Sequence, residues 1–185
     1  LPRELNRLDF KNWSPTPGAV QQRMIESLNT LAKRVDAMVL LEQVDEADTG
    51  VLAGGVLDAL AQIRHENPDL LMLADSRRGL GHFPAVGLKM NREEFAVLTG
   101  QAADMRLPEL CSAVGRLAAD RGQAVFVSLS EDGIAGAKPG ERPEHVSCLP
   151  VRGEIDIVGA GDAVMANLAM ALAAGAETGE AMRLA

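Results

Sequence analysis

The sequence predicts an α/β three-layer sandwich with a mostly parallel sheet. Three observations carry that expectation. Helical and strand-like patterns alternate along the chain. The run Gln123–Leu129 is apolar through its centre, as expected of a strand covered on both faces. Polar clusters follow several strand-like runs, at the carboxyl ends where open α/β sheets bind ligands.

Taken in order, Val20, Met24, Ile25, Leu28 and Leu31 share one helical face, and the apolar strand Ala37–Leu41 follows. A second helix carries Val56, Leu57, Leu60 and Ile63 and breaks before Pro68. Strand Leu70–Ala74 ends at Asp75, and a short strand Ala85–Leu88 leads into a helix over Arg92–Thr99, closed by Gly100. Pro108 suits a first helical turn, with Leu110, Val114 and Leu117 facing inward and Gly122 as the stop. After Gln123–Leu129, the turn Glu131-Asp132-Gly133 predicts antiparallel edge strands at Ile134–Ala137 and His145–Val151. A small-residue helix, Asp162–Ala174, stops at Gly175. Strands separated by helices imply right-handed crossovers. With no repeat and no interdomain linker, residues 1–185 read as one α/β domain.

Composition narrows the function. A net charge of -8 argues against a broad nucleic-acid-binding face, so any phosphate must be held locally. No apolar run is long enough to span a bilayer. Pro2, Arg3, Glu4, Asn6 and Arg7 interrupt any signal-peptide core, and a cytoplasmic location is the simplest expectation. Cys111 and Cys148 form no disulfide framework or metal spacing and read as buried small residues. His65, His82 and His145 lack ligand spacing; they and the isolated Trp13 read as structural.

The segment with the most chemistry is Asp156-Ile157-Val158-Gly159-Ala160-Gly161-Asp162, followed by Ala163-Val164-Met165-Ala166. Two glycines around an alanine let the backbone turn tightly where a helix begins. Unpaired amides and the positive dipole end there create an anion site. Gly159, Ala160 and Gly161 could supply amides to a transferring phosphoryl group, and Asp162 could orient the attacking hydroxyl and accept its proton. A capped helix after a glycine turn, with Asp162 as the cap, explains the same spacing.

This stretch resembles the C-terminal signature of the PfkB-type, ribokinase-like carbohydrate kinases, Asp-Thr-x-Gly-Ala-Gly-Asp before a small-residue helix. The resemblance implies that Asp162 is the catalytic base and that Gly159, Ala160 and Gly161 form the anion hole. It also implies that Asp156 lies near the nucleotide and, in some members, near a monovalent cation site. Ile157 stands where the family has threonine, which bears on cation binding and on any hydroxyl contact there.

Other clusters fit the same family. Lys89-Met90-Asn91-Arg92-Glu93-Glu94 resembles its Asn-x-x-Glu element, implying that Asn91 approaches the phosphates and Glu94 holds Mg2+ through water. A Glu-rich helix start explains it equally well. Ser128-Leu129-Ser130-Glu131-Asp132-Gly133 resembles the nucleotide-contacting Thr-x-Gly-x-x-Gly loop, implying cofactor-binding roles for Ser128, Ser130 and Gly133. Ser130 replaces its middle glycine, and a polar hairpin turn is the plain alternative. Asp75-Ser76-Arg77-Arg78 resembles the Asp-x-x-Arg region of sugar kinases, or is a salt-bridged surface loop.

The order of clusters, including Arg7-Leu8-Asp9, is most similar to the heptose-kinase branch. Asp9 and the Glu42–Asp48 stretch would then border the sugar cleft. Family members carry sugar-binding residues and a lid ahead of this region, so the chain reads as the nucleotide-binding and catalytic part of a longer kinase. The expected reaction is ATP- and Mg2+-dependent phosphorylation of a sugar or sugar phosphate. Neither nucleic acid nor membrane is an expected partner, and a homodimer is compatible with the reading. The alternatives are a kinase of the same fold acting on a nucleoside or vitamin-like alcohol, and a non-catalytic nucleotide-binding scaffold.

Overall fold

The computed structural model describes Leu8, residues 10–149 and residues 158–185. Six strands form one sheet in chain order: β1 (Ala37–Glu42), β2 (Leu71–Ser76), β3 (Gly87–Asn91), β4 (Val125–Ser128), β5 (Ile134–Ala137) and β6 (Glu144–Val146). β1 through β4 are parallel, whereas β5 and β6 join antiparallel at one edge. The helices are α1 (Gly18–Leu31), α2 (Gly54–Glu66), α3 (Arg92–Thr99), α4 (Leu107–Arg121), α5 (Ala160–Ala173) and α6 (Thr178–Leu184).

Side chains alternate across a strand, so each strand feeds two cores. Met38, Leu40, Met72, Ala74, Leu88, Met90, Val125 and Val127 pack with α2 and α4 on one face. Leu73, Phe126 and Ile134 pack with Met165, Leu168, Ala181 and Met182 of α5 and α6 on the other. The result is the three-layer sandwich expected from the alternating patterns. Gly87 belongs to the α5 face, where a Cβ would stand 2.6 Å from the Leu73 side chain.

Several boundaries differ from expectation, each for a physical reason. β3 spans Gly87–Asn91 rather than Ala85–Leu88, because pairing with β4 continues as far as Asn91 opposite Ser128. α5 begins two residues before Asp162, because Gly159 takes the left-handed conformation (φ 79°) and starts the helix itself. The last edge strand ends at Val146, short of the expected Val151; residues 150–157 lie outside the described ones. α1 has no fully buried residue: Met24, Ile25 and Leu28 touch the core, while Val20 and Leu31 are exposed. Cys148 is exposed and Cys111 half-buried, against the expectation that both lie inside. No helix among the described residues is long and apolar enough to cross a membrane.

Candidate active site

The site is built on the alternation of the parallel strands. Leu73 and Phe126 mark the α5 face of β2 and β4. Two residues on along the same face come Asp75 and Ser128, and in β3 the residues on this face are Gly87, Lys89 and Asn91. Four polar residues from three adjacent strand ends therefore share one side of the sheet. The remaining strand-end residues, Glu42 and Ser76, face the other way.

α5 lies over this face and presents its N-terminal turn. The Gly159 carbonyl accepts from the Ala163 N–H at 2.9 Å, closing the first turn. The N–H groups of Ala160, Gly161 and Asp162 have no acceptor among the described residues, as the opening of a helix dictates. Among the described residues nothing lies within 4 Å of where a Gly159 Cβ would project. Asp162 is the third helical residue, not the cap, and it is exposed. Its carboxylate makes no hydrogen bond or ion pair among the described residues. The alternative reading, in which Asp162 caps the helix, does not hold: Gly159 occupies that position and supplies no side chain.

Lys89 underlies the turn. It is 5% exposed and its Nζ lies 2.8 Å from Asp75 Oδ2. A Cβ on Gly161 would stand 3.2 Å from the same Nζ. Lys89 is therefore no rim residue, as its place in a polar cluster suggested, but a buried ammonium beneath the glycine turn.

Asn91 and Glu94 are occupied locally. The Glu94 N–H donates to Asn91 Oδ1 at 2.8 Å, and the Asn91 N–H donates to Glu94 Oε2 at 2.7 Å. This reciprocal capping box starts α3 and satisfies two orphan donors. The Asn91 side-chain amide keeps its donors and Glu94 keeps its second oxygen, so the cap leaves both able to face a ligand. Among the described residues no group of three acidic, histidine or cysteine side chains is placed to cage a metal. One carboxylate acting through water is the arrangement that Mg2+ on a nucleotide tolerates.

The Ser128–Gly133 loop follows β4. Ser128 pairs in register with Asn91, and its hydroxyl donates to the Met90 carbonyl at 3.3 Å. Ser130 is exposed and left-handed (φ 53°), so the serine in place of the family's middle glycine keeps a glycine-like backbone. Gly133 has a packing reason of its own: a Cβ there would fall 2.0 Å from the Val146 carbonyl oxygen. Arg92 ties this loop to the next, donating to the Met105 carbonyl at 3.0 Å and lying 3.5 Å from Asp132 Oδ2. Asp156 and Ile157, like Asp9, lie outside the described residues.

On the opposite face, Glu42 is buried at the end of β1. It accepts from the Ser76 hydroxyl at 2.5 Å and from Arg78 Nε at 3.2 Å, and His82 Nε2 lies 3.0 Å away. The Asp-Ser-Arg-Arg strand end is thus salt-bridged as the plain reading held, but to a buried partner. Sequence reasoning gave Glu42 and Lys89 no individual role. Lys89 interrupts an apolar strand and Glu42 closes one, and that is the signal that could have found them. Asp45 ion-pairs with Lys11, whose hydrogen bond and charge hold its carboxyl below the usual value. Asp48 accepts from the Gly54 N–H at 2.8 Å and so tethers the start of α2.

Residues 54–185 match the family model described as pfkB family carbohydrate kinase. The chain belongs to the pfkB family. It is 31% identical over 180 residues to the bifunctional protein HldE of Rhodopseudomonas palustris strain TIE-1, covering 97% of this chain and 36% of that protein. The HldE protein of Paramagnetospirillum magneticum is 29% identical over 186 residues, with 99% of this chain and 37% of the relative covered. This pfkB chain therefore spans little more than a third of the curated relatives it matches. Among solved structures, ribokinase of Arabidopsis thaliana complexed with ribose and ATP superposes with a TM-score of 0.64. Identity there is 20%, over 91% of this chain and 50% of that one. The tetrameric inhibited form of phosphofructokinase-2 from Escherichia coli gives 0.65 at 19% identity, over 91% and 55%. These likenesses establish the ribokinase-like fold.

Proposed function

We propose that this chain is the nucleotide-binding and phosphoryl-transferring portion of an ATP-dependent carbohydrate kinase. The observation that carries the reading is the exposed, unpartnered Asp162 carboxylate, set one residue behind the open amides of Ala160 and Gly161 at the mouth of α5. Family membership supports it, because the matched region includes that mouth. The family's description as carbohydrate kinases supports a sugar or sugar phosphate as acceptor.

In this reading the terminal phosphate of ATP lies against the amides of the Gly159–Gly161 turn. Asp162 orients the acceptor hydroxyl toward the phosphorus and takes its proton as the new O–P bond forms and the bond to the β-phosphate oxygen breaks. Orientation and charge stabilisation account for most catalysis of this reaction class, which suits a site with few side chains. Asn91 would approach the phosphates through its free amide donors, and the uncommitted oxygen of Glu94 would hold Mg2+ through water. The bound cation would neutralise the phosphate oxygens. The Ser128–Gly133 loop borders the nucleotide on the β4 side. Asp156 belongs to the same reading by its motif position.

The test is transfer of labelled phosphate from Mg-ATP in the complete protein, across hexoses, heptoses, their phosphates, nucleosides and vitamin-like alcohols. The proposal expects label on a sugar or sugar phosphate. Label only on a nucleoside or vitamin alcohol would reassign the acceptor, and ATP binding with no transfer to any of them would favour a scaffold.

A further inference from the structure

Burying an ammonium costs several kcal/mol unless neighbours compensate it, so a lysine inside a strand needs a reason. Leu88 and Met90 point into the core of α2 and α4, and Lys89 between them is forced onto the α5 face. Asp75, one strand over on the same face, supplies the opposite charge at 2.8 Å. A structural pair could end there. Two details go further.

An ammonium has three donors, and Asp75 takes one; the other two have no partner among the described residues. The free side of Nζ also faces the first turn of α5, at the spot where Gly161 lacks a Cβ. A buried cation with two open donors therefore lies beside the unpaired amides of Ala160, Gly161 and Asp162.

We infer that Lys89 is the counter-charge of the phosphate hole, a cationic floor under the glycine turn, with Asp75 as the residue that positions it. The inference rests on the kinase reading above and adds a residue to it. In the empty site, Asp75 alone balances the ammonium. When a phosphate enters the mouth, Lys89 faces two anions and the open donors turn to the incoming one. Because the ammonium is nearly dry, its attraction for phosphate is little screened. Glycine at position 161 then has two duties: it frees the amide for approach, and it leaves room for Nζ.

The experiment uses the complete protein and three probes: Mg-ATP, Mg-ADP and adenosine, with affinities measured by calorimetry. Lys89→Met alone strands the Asp75 carboxylate, so the decisive variant pairs Lys89→Met with Asp75→Asn, which removes both charges. That double variant should melt near the parent temperature and bind adenosine as the parent does. Its affinity for Mg-ATP should fall about 10- to 100-fold, the usual loss of a charged hydrogen bond. Unchanged Mg-ATP affinity would reduce the pair to structural cement and overturn the inference. Should the double variant not fold, the unaltered protein with 15N-labelled lysine serves instead. One ammonium resonance, assigned to Lys89 through the protein's sequence-specific spectrum, should shift with Mg-ATP and not with adenosine; no such shift overturns the inference too. A parent that binds no Mg-ATP sinks the kinase reading itself, an outcome distinct from either of these.

Discussion

Two charged side chains are buried in the sheet, Glu42 at the end of β1 and Lys89 within β3, one on each face, and they are furnished differently. Glu42, on the α2 side, is surrounded by the Ser76 hydroxyl, the Arg78 guanidinium and the His82 ring. Lys89, on the α5 side, has Asp75 alone among the described residues. The first cluster is closed: its carboxylate oxygens are taken by neighbours of the same rim. The second is open toward a helix end that itself has unpaired amides. Saturation is what separates a charge that holds a structure from one that awaits a ligand, and sequence does not display it. In the sequence each is simply a charge against an apolar strand, Glu42 ending one and Lys89 interrupting another.

The comparison can be broken most forcefully from the closed side. Glu42→Ala removes the carboxylate that accepts from Ser76 and Arg78 and lies beside His82, and should lower stability by about 3 kcal/mol, measured by denaturant unfolding. Affinity for Mg-ATP should persist in that variant under conditions where it remains folded. A Glu42→Ala protein of parental stability would show the cluster to be dispensable.

Much of the architecture was legible beforehand because its signals are local. Gly100 and Gly122 end helices in the left-handed conformation that glycine favours, and both were read as stops. The apolar run of β4 announced a strand covered on both faces. The face of each strand-end residue was not legible, because it depends on where a strand stops. Ending β3 at Leu88 put Lys89 in a loop; ending it at Asn91 puts Lys89 in the interior. A shift of three residues changes the residue from solvated to buried. The motif around Asp162 could be read as chemistry or as capping, and only the position of Gly159 at the helix start removes the cap. Asn91 and Glu94 carry the converse lesson: the same atoms that start α3 stand in the family's phosphate motif.

A smaller effect sharpens the view of the loop on the open side. Ser130 is held at φ 53°, where an L-residue is strained by roughly 1–2 kcal/mol. Ser130→Gly should relieve part of that and stabilise the protein by about 0.5–1 kcal/mol in thermal or denaturant unfolding. A loss of stability would mean that the serine side chain contributes more than its backbone costs.

The smallest expected effect is chemical and leaves the sequence unchanged. Cys148 is exposed, whereas burial pushes the Cys111 thiol above its ordinary pKa. A thiol alkylator near pH 8 should label Cys148 first, with Cys111 catching up as the pH rises and its thiolate fraction grows. Equal rates at both sites, followed by peptide mass spectrometry, would contradict the described packing of α4.

The account turns on Asp162 standing free at the mouth of α5 as the base of phosphoryl transfer. Asp162→Asn keeps the size and the helix but removes the proton acceptor. In the complete protein it should melt and bind Mg-ATP like the parent while turnover on its sugar acceptor drops by roughly 100-fold or more. Parental turnover in that variant would contradict the account.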